Sequence, residues 1–328
     1  MSANRTPLPD RIPIEEIEAA QERLRGLAER TPLVRLEVEL PDTEIWLKLE
    51  NLQPIGSFKL RGSGNAIAAA DPEALRAGVY TASAGNMAQG LAWNARRLGI
   101  PCQVVVPDHA PKTKLAATER LGATSIPVPF DDWWRVIEEH RFPGLEGFFV
   151  HPVCNREVIA GNGTIGLEIL EDLSDPDAVV VPYGGGGLSC GIGSALRARR
   201  PATRVFAAES AAAAPLAAAL QAGTPTAVNY RRSFVDGIGG KAVLDEMWSL
   251  ARGLIHDSLV VELDAIASAI RLLVERHRVV AEGAGAASVA AALAGLAGRG
   301  RIVCVVSGGN IDAGVLSEIL AGRVPTPD

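Results

Sequence analysis

The chain has 328 residues, of which 48% are hydrophobic and 21% are charged. This composition is typical of a globular protein and excludes an intrinsically disordered one, and the length is enough for about two domains. The 32 basic and 38 acidic residues give a net charge of −6 and are spread along the chain, so no basic block would follow a nucleic-acid backbone.

The sequence also argues against a membrane protein, a secreted protein and a zinc protein. The first twenty residues lack the apolar stretch of a secretory signal. The uncharged stretch 283–298 is too rich in Ala and Gly to span a bilayer and predicts a closely packed buried helix. The cysteines show no CxxC spacing, which favours free thiols in a reducing cytoplasm; they are Cys102, Cys154, Cys190 and Cys304.

Short β-branched segments alternate with longer amphipathic ones, which predicts βαβ units and a mostly parallel sheet. Gly99 and Gly122 stand where helices are expected to end. The segment 322–328 is expected to be a frayed tail. Strands are predicted at residues 78–82, 102–107, 124–128, 178–183, 204–209 and 301–307, and helices at 59–70, 87–98, 111–121 and 194–200.

A run of glycines follows one predicted strand directly; it consists of Gly184, Gly185, Gly186 and Gly187 and ends at Leu188. Backbone N–H groups in such a loop, together with a helix N-terminus, form an anion site suited to phosphate. A dinucleotide fingerprint is excluded because its sixth position is Cys190, and a P-loop because Ile192 follows Gly191. A tight turn without a ligand is the alternative interpretation.

Lysine is rare, with five residues against 27 arginines, so few amines are available for a Schiff base. Lys59 lies at the start of a predicted helix, where the helix dipole favours the neutral amine that attacks an aldehyde. The other lysines have structural interpretations: Lys48 on a strand, Lys112 and Lys114 in the first turn of a surface helix, and Lys241 in a loop.

Two further segments follow predicted strands, where ligands gather in open α/β sheets. The segment 81–90 opens a helix whose amides are suited to a carboxylate, and its Asn86 is suited to a phenolic oxygen. The segment 306–310 ends the last predicted strand. A well-capped helix start is the alternative interpretation of the first segment.

With these motifs, residues 31–320 resemble the serine/threonine dehydratase branch of the pyridoxal-phosphate enzymes of fold type II, which is related to serine racemases. The resemblance rests on Lys48-Leu49-Glu50, on Gly56-Ser57-Phe58-Lys59-Leu60-Arg61-Gly62, on Ser83-Ala84-Gly85-Asn86, on Ile159-Ala160-Gly161, on the glycine run and on Ser307-Gly308-Gly309-Asn310.

The resemblance implies an α/β protein with two open, mostly parallel-sheet domains. Residues 1–71 and 151–328 are expected to form the large cofactor domain, and residues 72–150 a small domain that closes over substrate. A homodimer is expected, and no regulatory domain.

The resemblance also implies a role for each motif. Lys59 holds pyridoxal 5′-phosphate as a Schiff base and moves the Cα proton. The other expected cofactor contacts are Phe58 on the ring, Asn86 on O3′, residues 184–188 on the phosphate, Ser307 at the pyridine nitrogen, and Gly237 and Glu282 nearby. The expected substrate contacts are Ser83, Ala84, Gly85 and Met87. Ser83 is also expected to be a catalytic residue.

The implied reaction is elimination of water from L-threonine or L-serine, followed by release of a 2-oxo acid and ammonia. A lyase acting on a bulkier or different 3-hydroxy amino acid (of the phenylserine, hydroxyaspartate or hydroxyectoine-derived type) is the first alternative. A racemase is disfavoured because Ala84 stands where racemases carry a second serine. A non-catalytic ligand-binding protein is the remaining alternative.

Three departures from the family pattern bear on specificity and on cations. Met87 replaces a usual histidine, and Val153-Cys154 replace a usual polar pair, so we expect a more apolar pocket and a substrate larger or less polar than serine. At the family's cation site Glu209 matches one carboxylate, but Pro215 stands where a second acid is common. A divalent ion would lack oxygen ligands there, so no metal site is predicted and a cation stays undecided.

Overall fold

The computed structural model describes residues 8–326, so the predictions made for residues 1–7 and for the end of the tail, 327–328, lie outside the described residues. Within the described part, no helix is both long and apolar enough to cross a membrane.

The elements follow one another in the alternating order that the sequence predicts. The strands are β1 Leu33–Arg35, β2 Thr43–Leu49, β3 Val79–Ala82, β4 Cys102–Pro107, β5 Thr124–Val128, β6 Phe148–Phe149, β7 Ala178–Pro182, β8 Arg204–Ser210, β9 Asp257–Val261 and β10 Gly300–Val306. The helices are α1 Ile14–Arg23, α2 Lys59–Ala69, α3 Asn86–Leu98, α4 Lys112–Arg120, α5 Phe130–Glu139, α6 Arg156–Asp172, α7 Gly187–Arg199, α8 Pro215–Ala222, α9 Asp245–Leu254, α10 Leu263–Leu272, α11 Gly283–Leu293 and α12 Ala313–Leu320.

Two sheets organise the described chain. The larger has the order β1-β2-β10-β7-β8-β9, in which β1 is antiparallel to β2 and all other pairs are parallel. The smaller has the order β5-β4-β3-β6 and is entirely parallel. The predicted α/β class with parallel sheets is therefore confirmed. The division of the chain into domains at residues 72 and 150 stays a prediction.

The burial of individual residues explains where the predicted strands and helices agree with the structure and where they differ from it. Every residue of β7 is buried, which fits its continuous apolar sequence. The predicted buried helix in the stretch 283–298 is α11, whose residues are almost all buried. The helix expected at residue 194 begins earlier, at Gly187, because the last glycine of the run already forms its first turn. Helix α6 has no amphipathic period because it is buried on all sides.

Helix α2 lies in a narrow space between α3 and α6. A side chain at Gly90 of α3 would come within 2.9 Å of the Lys59 carbonyl oxygen, and one at Gly161 of α6 within 2.7 Å of the Arg61 carbonyl oxygen. Both neighbours must be glycine for the helices to approach this closely. The backbone that carries Lys59 is thereby held from two sides.

Four charged side chains are buried together beneath α2. Arg61 pairs with Glu50 at 2.8 Å (Nε to Oε2) and with Glu168 at 2.7 Å (Nη1 to Oε1), and Lys48 pairs with Glu168 at 2.5 Å (Nζ to Oε2). Thr31 donates to Glu50 Oε1 at 2.6 Å. The two positive and two negative charges balance. The sequence places Lys48 on a strand without a further role, whereas its side chain is fully buried in this cluster.

We predict that Glu168→Gln lowers the free energy of unfolding by about 3–5 kcal/mol, because it leaves a buried positive charge without compensation. The matched control is Glu171→Gln. Glu171 lies on the same helix as Glu168, but its carboxylate is exposed and pairs with Arg30. That change should cost less than about 1 kcal/mol. Urea unfolding of both variants checks the prediction, and equal losses would contradict it.

Candidate active site

Lys59 is the first residue of α2, as the sequence predicts, and its side chain is partly buried. The Nζ atom donates to the Pro152 carbonyl oxygen at 2.8 Å and lies 5.2 Å from the centre of the Phe58 ring. Burial lowers the pKa of Lys59 to about 8, because the charged form loses its hydration. The shift is in the expected direction, toward the neutral amine, and burial is its cause.

The glycine run connects β7 to α7 and holds its shape through close contacts. Gly186 has a φ of +95°, and a side chain there would lie 3.0 Å from the Tyr183 hydroxyl oxygen. A side chain at Gly185 would collide with Val153 at 2.4 Å. No protein group within residues 8–326 accepts a hydrogen bond from the N–H groups of residues 184–188. The loop therefore offers consecutive free donors at the start of a helix.

The turn that follows the smaller sheet joins Lys59 to this loop. Its Pro152 carbonyl holds the Lys59 amine, and the next residue, Val153, contacts both Gly185 and Gly187. The amine and the free amides thus lie on two sides of the same short segment.

The segment after β10 packs against the residues before Lys59. Phe58 N donates to the Ser307 carbonyl at 3.0 Å, and Gly309 N donates to the Gly56 carbonyl at 2.9 Å. Glu282 N donates to the Gly308 carbonyl at 3.0 Å. Ser307 therefore lies beside Phe58, and Glu282 lies on the opposite side of the same segment.

Glu282 and Asn86 are joined by a hydrogen bond across the two sheets. Asn86 Nδ2 donates to Glu282 Oε1 at 2.8 Å, and Asn310 Nδ2 donates to Asn86 Oδ1 at 2.8 Å. Asn310 thereby fixes the direction of the Asn86 amide. Burial, with a smaller effect of the Asp236 charge, raises the pKa of Glu282 to about 7.

Gly237 completes the arrangement. A side chain there would meet Ala284 at 2.8 Å and Glu282 Oε1 at 3.3 Å, while one at Gly184 would lie 3.4 Å from the Gly237 carbonyl oxygen. The predicted cofactor residues thus lie close to one another. We call this set the site ring: Phe58, Lys59, Pro152, Val153, residues 184–188, Gly237, Glu282, Asn86 and Ser307.

The segment before α3 reaches the site ring through Asn86. Gly85 N donates to Ser83 Oγ at 3.2 Å, and the first-turn amides of α3 come next. Met87 is 2% exposed and packs with Val158 and the apolar side chains of the smaller sheet. Its predicted contact with substrate stays a prediction, as do those of Ser83, Ala84 and Gly85.

One contact at the site was missed from the sequence. Lys114, which the sequence places in the first turn of a surface helix, pairs with Asp236 at 2.5 Å between Nζ and Oδ2. Asp236 precedes Gly237, so this ion pair links α4 beside the smaller sheet to the site ring. The local sequence around Asp236 does not indicate this ion pair, because Lys114 and Asp236 are far apart in the chain.

Both carboxylate oxygens of Glu209 accept hydrogen bonds from protein donors. Leu216 N, Ala217 N and Ser258 Oγ donate to its carboxylate at 2.9, 2.8 and 2.6 Å. Glu209 therefore caps the N-terminus of α8. Among the described residues, no group of three His, Cys, Asp or Glu side chains could hold a metal ion.

The residues of the site ring fit the cofactor that the resemblance implies. Free amides at a helix N-terminus suit a phosphate, and an amine with a lowered pKa suits an aldehyde. The buried Ser57 hydroxyl beside this space has no partner in the described part of the chain. An α/β fold that brings a lysine amine and free helix N-terminal amides to the two sides of one turn fits a pyridoxal-phosphate type of enzyme.

Comparisons with known proteins agree with that class. Residues 24–308 match the family model described as pyridoxal-phosphate dependent enzyme, and the chain belongs to this family. It is 41% identical to an L-threonine ammonia-lyase of Thermotoga maritima over 94% of this chain and 78% of the relative. It is 38% identical to a catabolic L-threonine dehydratase of Escherichia coli, over 94% and 96%.

The fold is also similar to that of a solved serine racemase from Dictyostelium discoideum. The TM-score is 0.82 at 32% sequence identity, with 92% of this chain and 99% of the racemase covered. The fold alone therefore does not separate elimination from racemisation, and that distinction depends on individual residues of the site.

We predict that Glu282→Gln removes a pH-dependent loss of stability. Between pH 4.5 and about 7 the unfolded chain loses the Glu282 proton while the folded chain keeps it, so wild-type stability falls over that range. From pH 5 to pH 8 the apoprotein variant should gain about 2–3 kcal/mol of unfolding free energy relative to wild type. Urea unfolding at both pH values measures this gain, and a constant difference would contradict it.

Proposed function

We propose that this protein eliminates water from a 3-hydroxy amino acid such as L-threonine or L-serine and releases a 2-oxo acid and ammonia. The observation that carries the proposal is the partly buried Lys59 amine beside the free amides of residues 184–188, on either side of the turn at Pro152. The names of its relatives, L-threonine ammonia-lyase and L-threonine dehydratase, support the reaction.

The amino-acid carboxylate would bind at the N-terminus of α3. The N–H groups of Asn86 and Met87 belong to the first helical turn and have no protein acceptor in the described part of the chain. Such amides stabilise an anion without a positively charged side chain. Ser83, at the end of β3, would orient the substrate beside them.

Lys59 would take the proton from the substrate Cα. With a pKa of about 8, a useful fraction of the amine is neutral near pH 7, which a base requires. When bound, pyridoxal phosphate supplies the electron sink that stabilises negative charge at this carbon. The Pro152 carbonyl holds the amine in place at 2.8 Å while it carries a proton.

Ser307 and Asn86 would set the electronic state of the cofactor ring. The Ser307 hydroxyl, which would lie near the ring nitrogen, is neutral and would not supply the negative charge that keeps such a nitrogen protonated. Asn86 has a second amide hydrogen besides the one that it gives to Glu282, so it has a donor for a phenolic oxygen. This combination favours elimination over transamination.

Racemisation is the second candidate because the fold is shared with a serine racemase. It requires a proton donor on the face of Cα opposite Lys59. The residue that follows Ser83 is Ala84, whose methyl side chain can neither give nor take a proton. We therefore assign the chain to the lyases.

We predict that Lys59→Ala abolishes the release of 2-oxo acid from L-threonine, lowering kcat by more than about 1,000-fold, because both the covalent attachment and the base are lost. Borohydride reduction should fix the cofactor on Lys59 in wild type only. The matched control is Lys241→Ala, which removes an exposed lysine and should leave both results unchanged. Turnover retained in Lys59→Ala would remove Lys59 from its role.

Substrate preference would depend on Met87 and Val153. We predict that Met87→His raises kcat/KM for L-serine relative to that for L-threonine or a bulkier 3-hydroxy amino acid by about 10-fold, since a buried polar partner contributes about 1–3 kcal/mol. The control Met87→Leu conserves volume and polarity and should leave the ratio unchanged. An unchanged ratio in a folded Met87→His variant would show that position 87 does not select the substrate.

We also propose a homodimer in the cytoplasm, which the family resemblance and the four free, buried cysteines support. The predicted small domain, residues 72–150, would close over the substrate. Its ion pair from Lys114 to Asp236 supports closure at the edge of the site ring.

A further inference from the structure

The turn that carries Pro152 is organised by a buried histidine that the proposed reaction does not use. His151 is 3% exposed and follows β6 at the carboxyl edge of the smaller sheet. Its Nδ1 atom lies 3.0 Å from Val153 N and 2.7 Å from Cys154 N. One ring nitrogen thus accepts hydrogen bonds from both N–H groups of the turn.

These contacts fix the protonation of His151. A ring nitrogen that accepts hydrogen bonds cannot carry a proton, so Nδ1 is unprotonated. The proton is then on Nε2, which donates to the Ile137 carbonyl oxygen at 3.2 Å. The ring also lies 4.4 Å from the ring of His140 and meets Phe149 edge-on. His151 is therefore a neutral imidazole held from several sides.

The turn controls two parts of the site ring at once. Its Pro152 carbonyl accepts from Lys59 Nζ, and its Val153 side chain limits the position of Gly185. A shift of this backbone would move the acceptor of the amine and the wall of the phosphate cradle together.

We propose that His151 is a positioning residue for Lys59: its Nδ1 atom, by accepting from Val153 N and Cys154 N, holds the Pro152 carbonyl where it receives the lysine amine whenever that amine is not bonded to cofactor. The proposal rests on the function proposed for Lys59. No covalent chemistry occurs at His151 itself.

Two substitutions separate the acceptor from the rest of the ring. His151→Asn places a side-chain oxygen near the position of Nδ1, whereas His151→Gln places its polar group nearer the position of Nε2 and removes the acceptor that the two amides share in wild type. We expect His151→Gln to lower kcat by about 10- to 100-fold, as for a small displacement of a reacting group, with little change in KM. His151→Asn should stay within about threefold of wild type.

A second measurement does not depend on activity. Amide hydrogen exchange in the apoprotein, followed by mass spectrometry of peptides that contain residues 151–155, should show protected Val153 and Cys154 amides in wild type and in His151→Asn. Exchange at these amides should be faster in His151→Gln. His140→Asn serves as the control, because it removes the neighbouring ring without removing the acceptor, and it should leave both kcat and the exchange at these amides close to wild type.

Several results would overturn the proposal. They are full activity in His151→Gln, an equal loss in folded Asn and Gln variants, and a loss in His140→Asn that matches the loss in His151→Gln. If His151→Gln does not fold, loss of amide protection in His151→Asn overturns the proposal, and retained protection with activity supports it. Retained activity in the Lys59→Ala variant would instead refute the proposed function. The hydrogen-exchange result would still show whether His151 holds the Val153 and Cys154 amides.

Discussion

The balanced cluster of buried charges beneath α2 is the constraint on which the site depends. Arg61 stands two residues after Lys59, and its guanidinium is held by Glu50, which follows β2, and by Glu168 of α6. Buried charges tolerate little displacement, because every partner that moves away leaves an uncompensated charge. The cluster therefore fixes the direction in which α2 leaves the turn, and with it the place of the Lys59 amine.

Three segments that are far apart in the chain meet at the site ring for the same topological reason. The segments after β3, β7 and β10 all leave the carboxyl ends of parallel strands, where helix N-termini and loops meet. Residues 86, 184–188 and 307 are far apart in the chain, yet each contacts a neighbour in the site ring. Close packing then needs glycine where the backbone passes close to a neighbouring side chain, as at Gly185 against Val153 and at Gly237 against Ala284.

Much of this arrangement could be predicted from the sequence because it depends on local patterns. Alternating strands and helices gave the parallel sheets, and the position of Lys59 at a helix start followed from its neighbours. Most of what could not be predicted depends on contacts between distant residues. The burial of Lys48 with Glu168 and the Lys114–Asp236 pair have no sequence pattern, since each joins partners that only the folded chain brings together. The two hydrogen bonds to His151 are local, but they depend on a turn geometry that no sequence motif marks.

The same burial acts on both titratable groups of the site and moves each toward its neutral form. It lowers the pKa of Lys59 to about 8 and raises that of Glu282 to about 7. The chain has 27 arginines, but none belongs to the site ring, and the free donors near the glycine run are backbone amides. A bound phosphate would therefore be stabilised by dipoles, without a nearby cation that would lower the Lys59 pKa further. A phosphate bound this way would instead favour the protonated form of the Lys59 amine. The Pro152 carbonyl accepts a hydrogen bond from that amine, and we propose that His151 holds this carbonyl in place. Both residues therefore matter most when Lys59 has just taken the proton from substrate.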